Sequence, residues 1–178
     1  MKLRSLTFVF LFISFVTFIL GVWQLYRLNW KNDLIENINN SVNSPKIFDS
    51  DEEYEELITI SLNNDFDLID NPIFLESKTQ QGKVGYHAVL PLTYNNNFYS
   101  VINLGWFSDK NPEYVSNLIK DIRKQDSFYA YTRHLTNEKQ IFVPENQPND
   151  NIWFSILKSD LEKYYKSNFN SIYYFVLF

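Results

Sequence analysis

The sequence predicts an α+β chain: an N-terminal transmembrane helix with a juxtamembrane extension over residues 1–40, then one antiparallel β-rich soluble domain over 41–178, a sheet or partly open barrel with a few helices. Three observations carry that prediction. Residues 5–26 contain no charged side chain, and at about 1.5 Å rise per residue such an apolar run spans the roughly 30 Å hydrocarbon core of a bilayer. From Leu57 onward, short β-rich runs are separated by Asn, Asp, Gly and Pro, without βαβ alternation. Two such runs, 84–93 and 98–104, flank Asn95, Asn96 and Asn97, which is the pattern of a hairpin.

The first element reads as an uncleaved anchor, because its apolar region is long and no small-residue cleavage site follows it. Leu28, Leu34, Ile35 and Ile38 continue helical spacing beyond the interface, so one helix is expected over about 6–38, ended by Asn39, Asn40, Ser41 and Pro45. Trp23, Tyr26 and Trp30 share one face at i, i+3 and i+7, and Gln24, Arg27 and Lys31 form a polar stripe about 100° around the helix. The aromatic stripe fits an interfacial belt with Arg27 and Lys31 snorkelling. It equally fits a surface on which Gln24 and Arg27 meet a partner helix. Lys2 and Arg4 on one side are matched by Arg27 and Lys31 on the other, and the amino terminus tips the orientation towards an N-terminus in the cytoplasm or matrix.

Within the domain, the acidic run 49–56 is expected to be solvated, with at most a helical turn. Strands are expected over 58–62, 66–69, 72–77, 84–93, 98–104, 128–134, 140–143 and 171–178. Asn111 and Pro112 open a helix over 112–124 with Tyr114, Val115, Leu118, Ile119 and Ile122 as its apolar residues, and a second helix is expected over 159–166. Gly82 and Gly85 suit a tight turn before Tyr86, and Gly105 lets the chain leave the strand that carries Asn103. Trp106 and Trp153 read as core aromatics.

Composition excludes several functions. Lys2 and Arg4 account for two of the 16 basic residues, so 14 face 21 acidic ones after the anchor, a net charge of −7 that repels phosphate backbones and argues against nucleic-acid binding. No cysteine is present and Met1 is the only methionine, which removes disulfides, thiolate metal sites and thioether copper ligands. His87 and His134 lack H-x-x-x-H or H-E-x-x-H company and read as structural residues on strands. No nucleophile elbow, P-loop or dinucleotide fingerprint occurs, so no enzyme activity and no catalytic or metal residues are expected.

Gly21-x-Trp23-Gln24-x-x-Arg27-x-x-x-Lys31 directly after a transmembrane run resembles the opening signature of the Surf1 (Shy1) family of cytochrome c oxidase assembly factors. The downstream order is similar too: Gly85-Tyr86-His87, then Pro91-Leu92, Asn103-Leu104-Gly105-Trp106, Asn111-Pro112-Glu113, Pro144-Glu145-Asn146 and Trp153. The resemblance implies a non-enzymatic factor of the bacterial or mitochondrial inner membrane, with its domain on the periplasmic or intermembrane side. Such a factor assists haem a insertion into, or stabilisation of, oxidase subunit I, with haem a synthase as a further partner. It marks Gly21, Trp23, Gln24, Arg27, Lys31, Gly85, Tyr86, Asn103, Gly105, Trp106, Pro144 and Asn146 as motif residues.

Two departures limit what carries over. Leu104 occupies the place where the family usually has an arginine, and the chain ends at Phe178, before the second transmembrane helix expected of the family. The histidine associated with haem a lies in that second region, so haem a is implied without a ligand in this sequence. The alternative is a single-pass envelope scaffold unrelated to the oxidase, which would use the Gln24, Arg27 and Lys31 stripe to bind another helix.

Overall fold

The structure, a computed structural model, describes residues 2–50 and 52–177 and divides into two compact units at Asn43 and Ser44. The first unit is helix α1, Lys2–Asn43. From Leu6 it is long and apolar enough to cross a membrane. Side chains such as Phe8, Phe12, Phe15 and Phe18 are exposed, as lipid-facing groups would be. Thr17 sits in this apolar run and donates its hydroxyl to the carbonyls of Ile13 (3.0 Å) and Ser14 (2.9 Å), which removes an unpaired polar group from a medium that could not solvate it. The helix does not stop at Asn39 and Asn40 as predicted. Ser41 Oγ folds back onto the Ile38 carbonyl at 2.8 Å, and the break waits until Ser44, whose helical conformation Pro45 disfavours.

The second unit is a curled mixed sheet with two helices. Its strands are β1 Lys46–Ile47, β2 Thr59–Asn63, β3 Phe66–Leu68, β4 Ile73–Gln80, β5 Lys83–Tyr94, β6 Asn97–Phe107, β7 Ser127–His134 and β8 Tyr173–Leu177. Helix α2 is Pro112–Ile122, and α3 is Lys158–Tyr165. The order across the sheet is β1-β2-β7-β8-β6-β5-β3, with β4 also paired to β5. Most pairings are antiparallel, but β1 with β2 and β6 with β8 are parallel. The second of these uses the long connection through α2, β7 and α3 that a parallel pair requires.

Among the described residues no ladder joins the outermost strands, and rings bridge the gap between them. Phe48, just after β1, lies 4.8 Å from Phe66 at the start of β3, and Phe66 lies 4.8 Å from Tyr94. The predicted partly open barrel is therefore closed by aromatic contacts rather than by hydrogen bonds. Inside it, Ile60, Leu62, Leu90, Leu92, Ile102 and Phe175 are buried. Val115, Ile119 and Ile122 of α2 join them at i, i+4 and i+7, whereas Tyr114 is exposed.

A second core lies on the other face of the central strands. There Ile73, Leu75, Val89 and Val101 pack under Leu135, Trp153, Leu161 and Phe169. β5 is thus covered on both faces, which is why Ala88, Val89, Leu90 and Leu92 show no apolar/polar alternation.

Several elements differ from expectation. The acidic run is an irregular strap that buries Tyr54, whose backbone N–H donates to Tyr173 Oη at 2.9 Å, and Lys46 pairs with Glu52. Its Asp51, like Phe178 of the terminal strand, lies outside the described residues. Residues 140–143 form no strand: Ile141 and Phe142 are exposed, and Phe142 has φ +70°, which no ladder accommodates. Trp153 is fully buried, as predicted, with Nε1 donating to Asn151 Oδ1 at 2.8 Å, but Trp106 is only half-buried.

Candidate functional site

Two places concentrate the motif residues. On α1, Gly21, Trp23, Gln24, Arg27 and Lys31 are all exposed. The Arg27 guanidinium lies 5.5 Å from the Trp23 ring centroid, so the aromatic and polar stripes are joined by an i, i+4 cation–π contact. A Cβ at Gly21 would meet nothing within 4 Å, which leaves a notch on the face that carries Gln24, Leu25 and Leu28, where another backbone can approach closely.

In the domain, the motif glycines Gly85 and Gly105 and the nearby Gly82 do three different jobs. Gly82 makes the β4–β5 turn with φ +78°. Gly85 is not in that turn but inside β5, where a Cβ would stand 2.3 Å from the Phe107 carbonyl oxygen and 2.5 Å from the Trp106 ring. Only glycine lets the indole lie flat on the strand at this point. The indole Nε1 then donates to the Lys78 carbonyl at 3.1 Å. Gly105, with φ +95°, occupies a bulge: His87 faces Trp106 while Val89 faces Asn103, and β6 continues to Phe107 rather than ending. Tyr86 stacks under the Lys110 ammonium at 4.9 Å, and Lys110 pairs with Glu76.

Pro144 is exposed, whereas Asn146 is a structural pin. Its Oδ1 accepts from the N–H groups of Phe154 (2.8 Å) and Ser155 (3.1 Å), and its Nδ2 donates to the Ser155 carbonyl and to Asp160 Oδ2. That holds the loop carrying Trp153 against α3.

The bulge at Gly105 also shapes a cleft of about 760 Å³ on the outer face of the sheet. Neighbouring strands bring Leu75, His87, Asn103, Val176 and Tyr131 into one row across it. Lys78, Arg133, His134, Glu56 and Glu138 stand around that row. Both histidines, distant in sequence, therefore line one cavity. His134 is exposed at the rim, its ring centroid 5.3 Å from that of Tyr173. His87 is half-buried, and its Nδ1 is 3.1 Å from Asn103 Nδ2.

The Asn103 amide has one orientation that satisfies its neighbours. Its Oδ1 accepts from Gly105 N–H at 2.9 Å, so Nδ2 is turned to His87 and can only donate. His87 Nδ1 is then the acceptor and Nε2 carries the proton. Burial, and then the Lys78 charge, pushes His87 below its usual range and keeps the ring neutral. Burial likewise lowers Lys78. Burial pushes the Tyr174 phenol up, with Arg133 acting the other way.

Lys78 and Arg133 do not stand out in the sequence. Lys78 reaches the cleft only because β4 bulges between Leu75 and Lys78, where Ser77 has φ +56°; a regular strand would put Lys78 on the face opposite Leu75. Among the described residues no group of three His, Cys, Asp or Glu side chains is placed to hold a metal ion.

Fold and site together define a protein with a helix able to span a membrane and a curled β-domain whose polar cleft is built around a tautomer-fixed histidine. The SURF1 family model matches residues 11–174, and the chain belongs to that family. It is 26% identical over 170 residues to a SURF1-like protein of Rickettsia conorii, covering 86% of this chain and 69% of that one. A SURF1-like protein of Rickettsia bellii is 25% identical over 177 residues, covering 95% and 69%. One from Dictyostelium discoideum is 25% identical over 187 residues, covering 83% and 68%. No solved structure matches the chain.

Proposed function

We propose that this chain is a non-enzymatic assembly factor for cytochrome c oxidase that assists haem a insertion into, or stabilisation of, subunit I, with haem a synthase as a further partner. Membership of the SURF1 family across residues 11–174 carries this reading. A helix long and apolar enough to cross a membrane supports action beside an integral enzyme. On this reading the membrane is the bacterial or mitochondrial inner membrane, with the N-terminus in the cytoplasm or matrix and the acidic domain on the other side.

Haem a enters as the cargo that this role implies, and His87 does not fit as its iron ligand. A ligating imidazole offers a lone pair to the metal and donates its other N–H. His87 instead accepts through Nδ1 from Asn103, which leaves only the protonated Nε2. The contacts that serve assembly are therefore assigned to α1 and to surfaces of the domain.

Deleting the gene is expected to lower oxidase activity and haem a content while leaving unrelated respiratory enzymes intact. Unchanged oxidase assembly would overturn the proposal. Co-purification of division or wall proteins in place of oxidase subunits would favour an envelope scaffold.

A further inference from the structure

The cleft on the outer face of the sheet holds more hydrogen-bond donors than the protein satisfies. His87 Nε2–H is one, because Asn103 and Gly105 commit the other ring nitrogen to accepting, and no described residue accepts from Nε2. Lys78 is the second. It is half-buried, its ammonium reaches only the Phe154 carbonyl at 3.3 Å, and among the described residues no carboxylate pairs with it. Arg133 Nε is the third: the atom is buried without an acceptor, and Glu56 Oε1 is 3.9 Å away. Of the three, Arg133 Nε is the buried atom without a partner and carries the desolvation cost, while His87 Nε2 and Lys78 Nζ open onto the cleft, where acceptor oxygens can reach them.

From this convergence we infer that the cleft is a binding site for a carboxylate-bearing ligand, whose oxygens accept from His87 Nε2–H and Lys78 Nζ, with Arg133 completing the cradle. Charge decides between oxyanions. Glu56 and Glu138 line the same cleft, so a singly charged carboxylate is tolerated where a doubly charged phosphate meets added repulsion. Shape agrees, since Leu75, Ile156, Leu157 and Val176 provide an apolar wall for the body of such a ligand. The bulges at Ser77 and Gly105 gain a purpose as well. The first brings Lys78 to the face that carries Leu75 and His87, and the second, just beyond Asn103, turns Trp106 to face His87, at the expense of two ladder interruptions. This site does not depend on the oxidase reading and stands or falls without it.

The test uses the full chain in detergent micelles, with histidine labelled in the ring nitrogens. With only two histidines in the sequence, assignment needs a single His134→Gln comparison. Before any ligand is added, His87 should show protonated Nε2 and unprotonated Nδ1 at neutral pH; the opposite tautomer overturns the inference. Butyrate should then shift the His87 signals saturably, butyramide should not, and inorganic phosphate should act more weakly than butyrate. Lys78→Met keeps the apolar stem and removes the charge, and should weaken butyrate roughly tenfold, as loss of a charged hydrogen bond does. An equal response to butyramide, a stronger response to phosphate, or unchanged butyrate affinity in Lys78→Met would each overturn the carboxylate assignment. The ligand comparisons on the unaltered chain keep the test decisive even if Lys78→Met folds poorly.

Discussion

Gly85 and Gly82 are three residues apart and have opposite requirements. At Gly85 the conformation is ordinary and the space is missing; at Gly82 the space is open and the conformation is left-handed. Gly85→Ala is therefore expected to cost about 1–3 kcal/mol, because the Cβ collides with backbone as well as with the Trp106 ring. Gly82→Ala should cost about 1 kcal/mol, the ordinary penalty of a side chain at positive φ. Denaturant unfolding of the two variants followed by tryptophan fluorescence checks the ranking, and a larger loss at Gly82 would refute the close-approach account. His87 belongs to the same scale. Folding disfavours its charged form, so the unfolded chain binds the extra proton more readily. Stability should fall as pH drops below about 6.5, the ordinary histidine value, towards the lowered folded value, and should be indifferent to His87 above it. Thermal unfolding across pH 5–8 should show this slope in the native chain and a shallower one in His87→Gln.

At the scale of elements, the β5–β6 hairpin shows how far local chemistry reaches. Asn95 and Asn96 have φ +50° and +64°, a two-residue turn with both central residues left-handed, and asparagine is among the few side chains that accept this. Asn96→Gly should leave the domain intact, whereas Asn95→Val should destabilise it by about 1–2 kcal/mol, measurable by the same unfolding titration. The hairpin was legible because its signal is local. Residues 140–143 carried a similar apolar signal and became a loop, because a strand also needs a neighbour with a free ladder, and none is supplied there. The bonds that order this part of the chain run instead through Asn146, and Asn146→Ala should cost about 2 kcal/mol by stranding the Phe154 and Ser155 N–H groups. On α1, Arg27→Ala removes an exposed cation–π contact and should leave membrane insertion unchanged. Loss of oxidase assembly in that variant would identify a partner-binding face, and normal assembly would leave Trp23 and Arg27 as an interfacial belt.

For the whole molecule, the division between chain-level and three-dimensional information follows from range. A helix of lipid-crossing length, a β-rich domain, a capped α2 and the hairpin all rest on periodicity or on contacts between near neighbours, which composition and spacing express directly. The family was legible in the same way, as an ordered series of short motifs. The parallel pairing of β6 with β8, the aromatic closure between Phe48 and Phe66, and the meeting of His87, Asn103, Lys78 and Arg133 in one cleft depend on residues tens of positions apart. Bulges at Ser77 and Gly105 reverse which face the following side chains occupy, so even a correct list of strands misplaces Lys78. Local propensity sets which segments become strands; register and long-range pairing set which side chains converge.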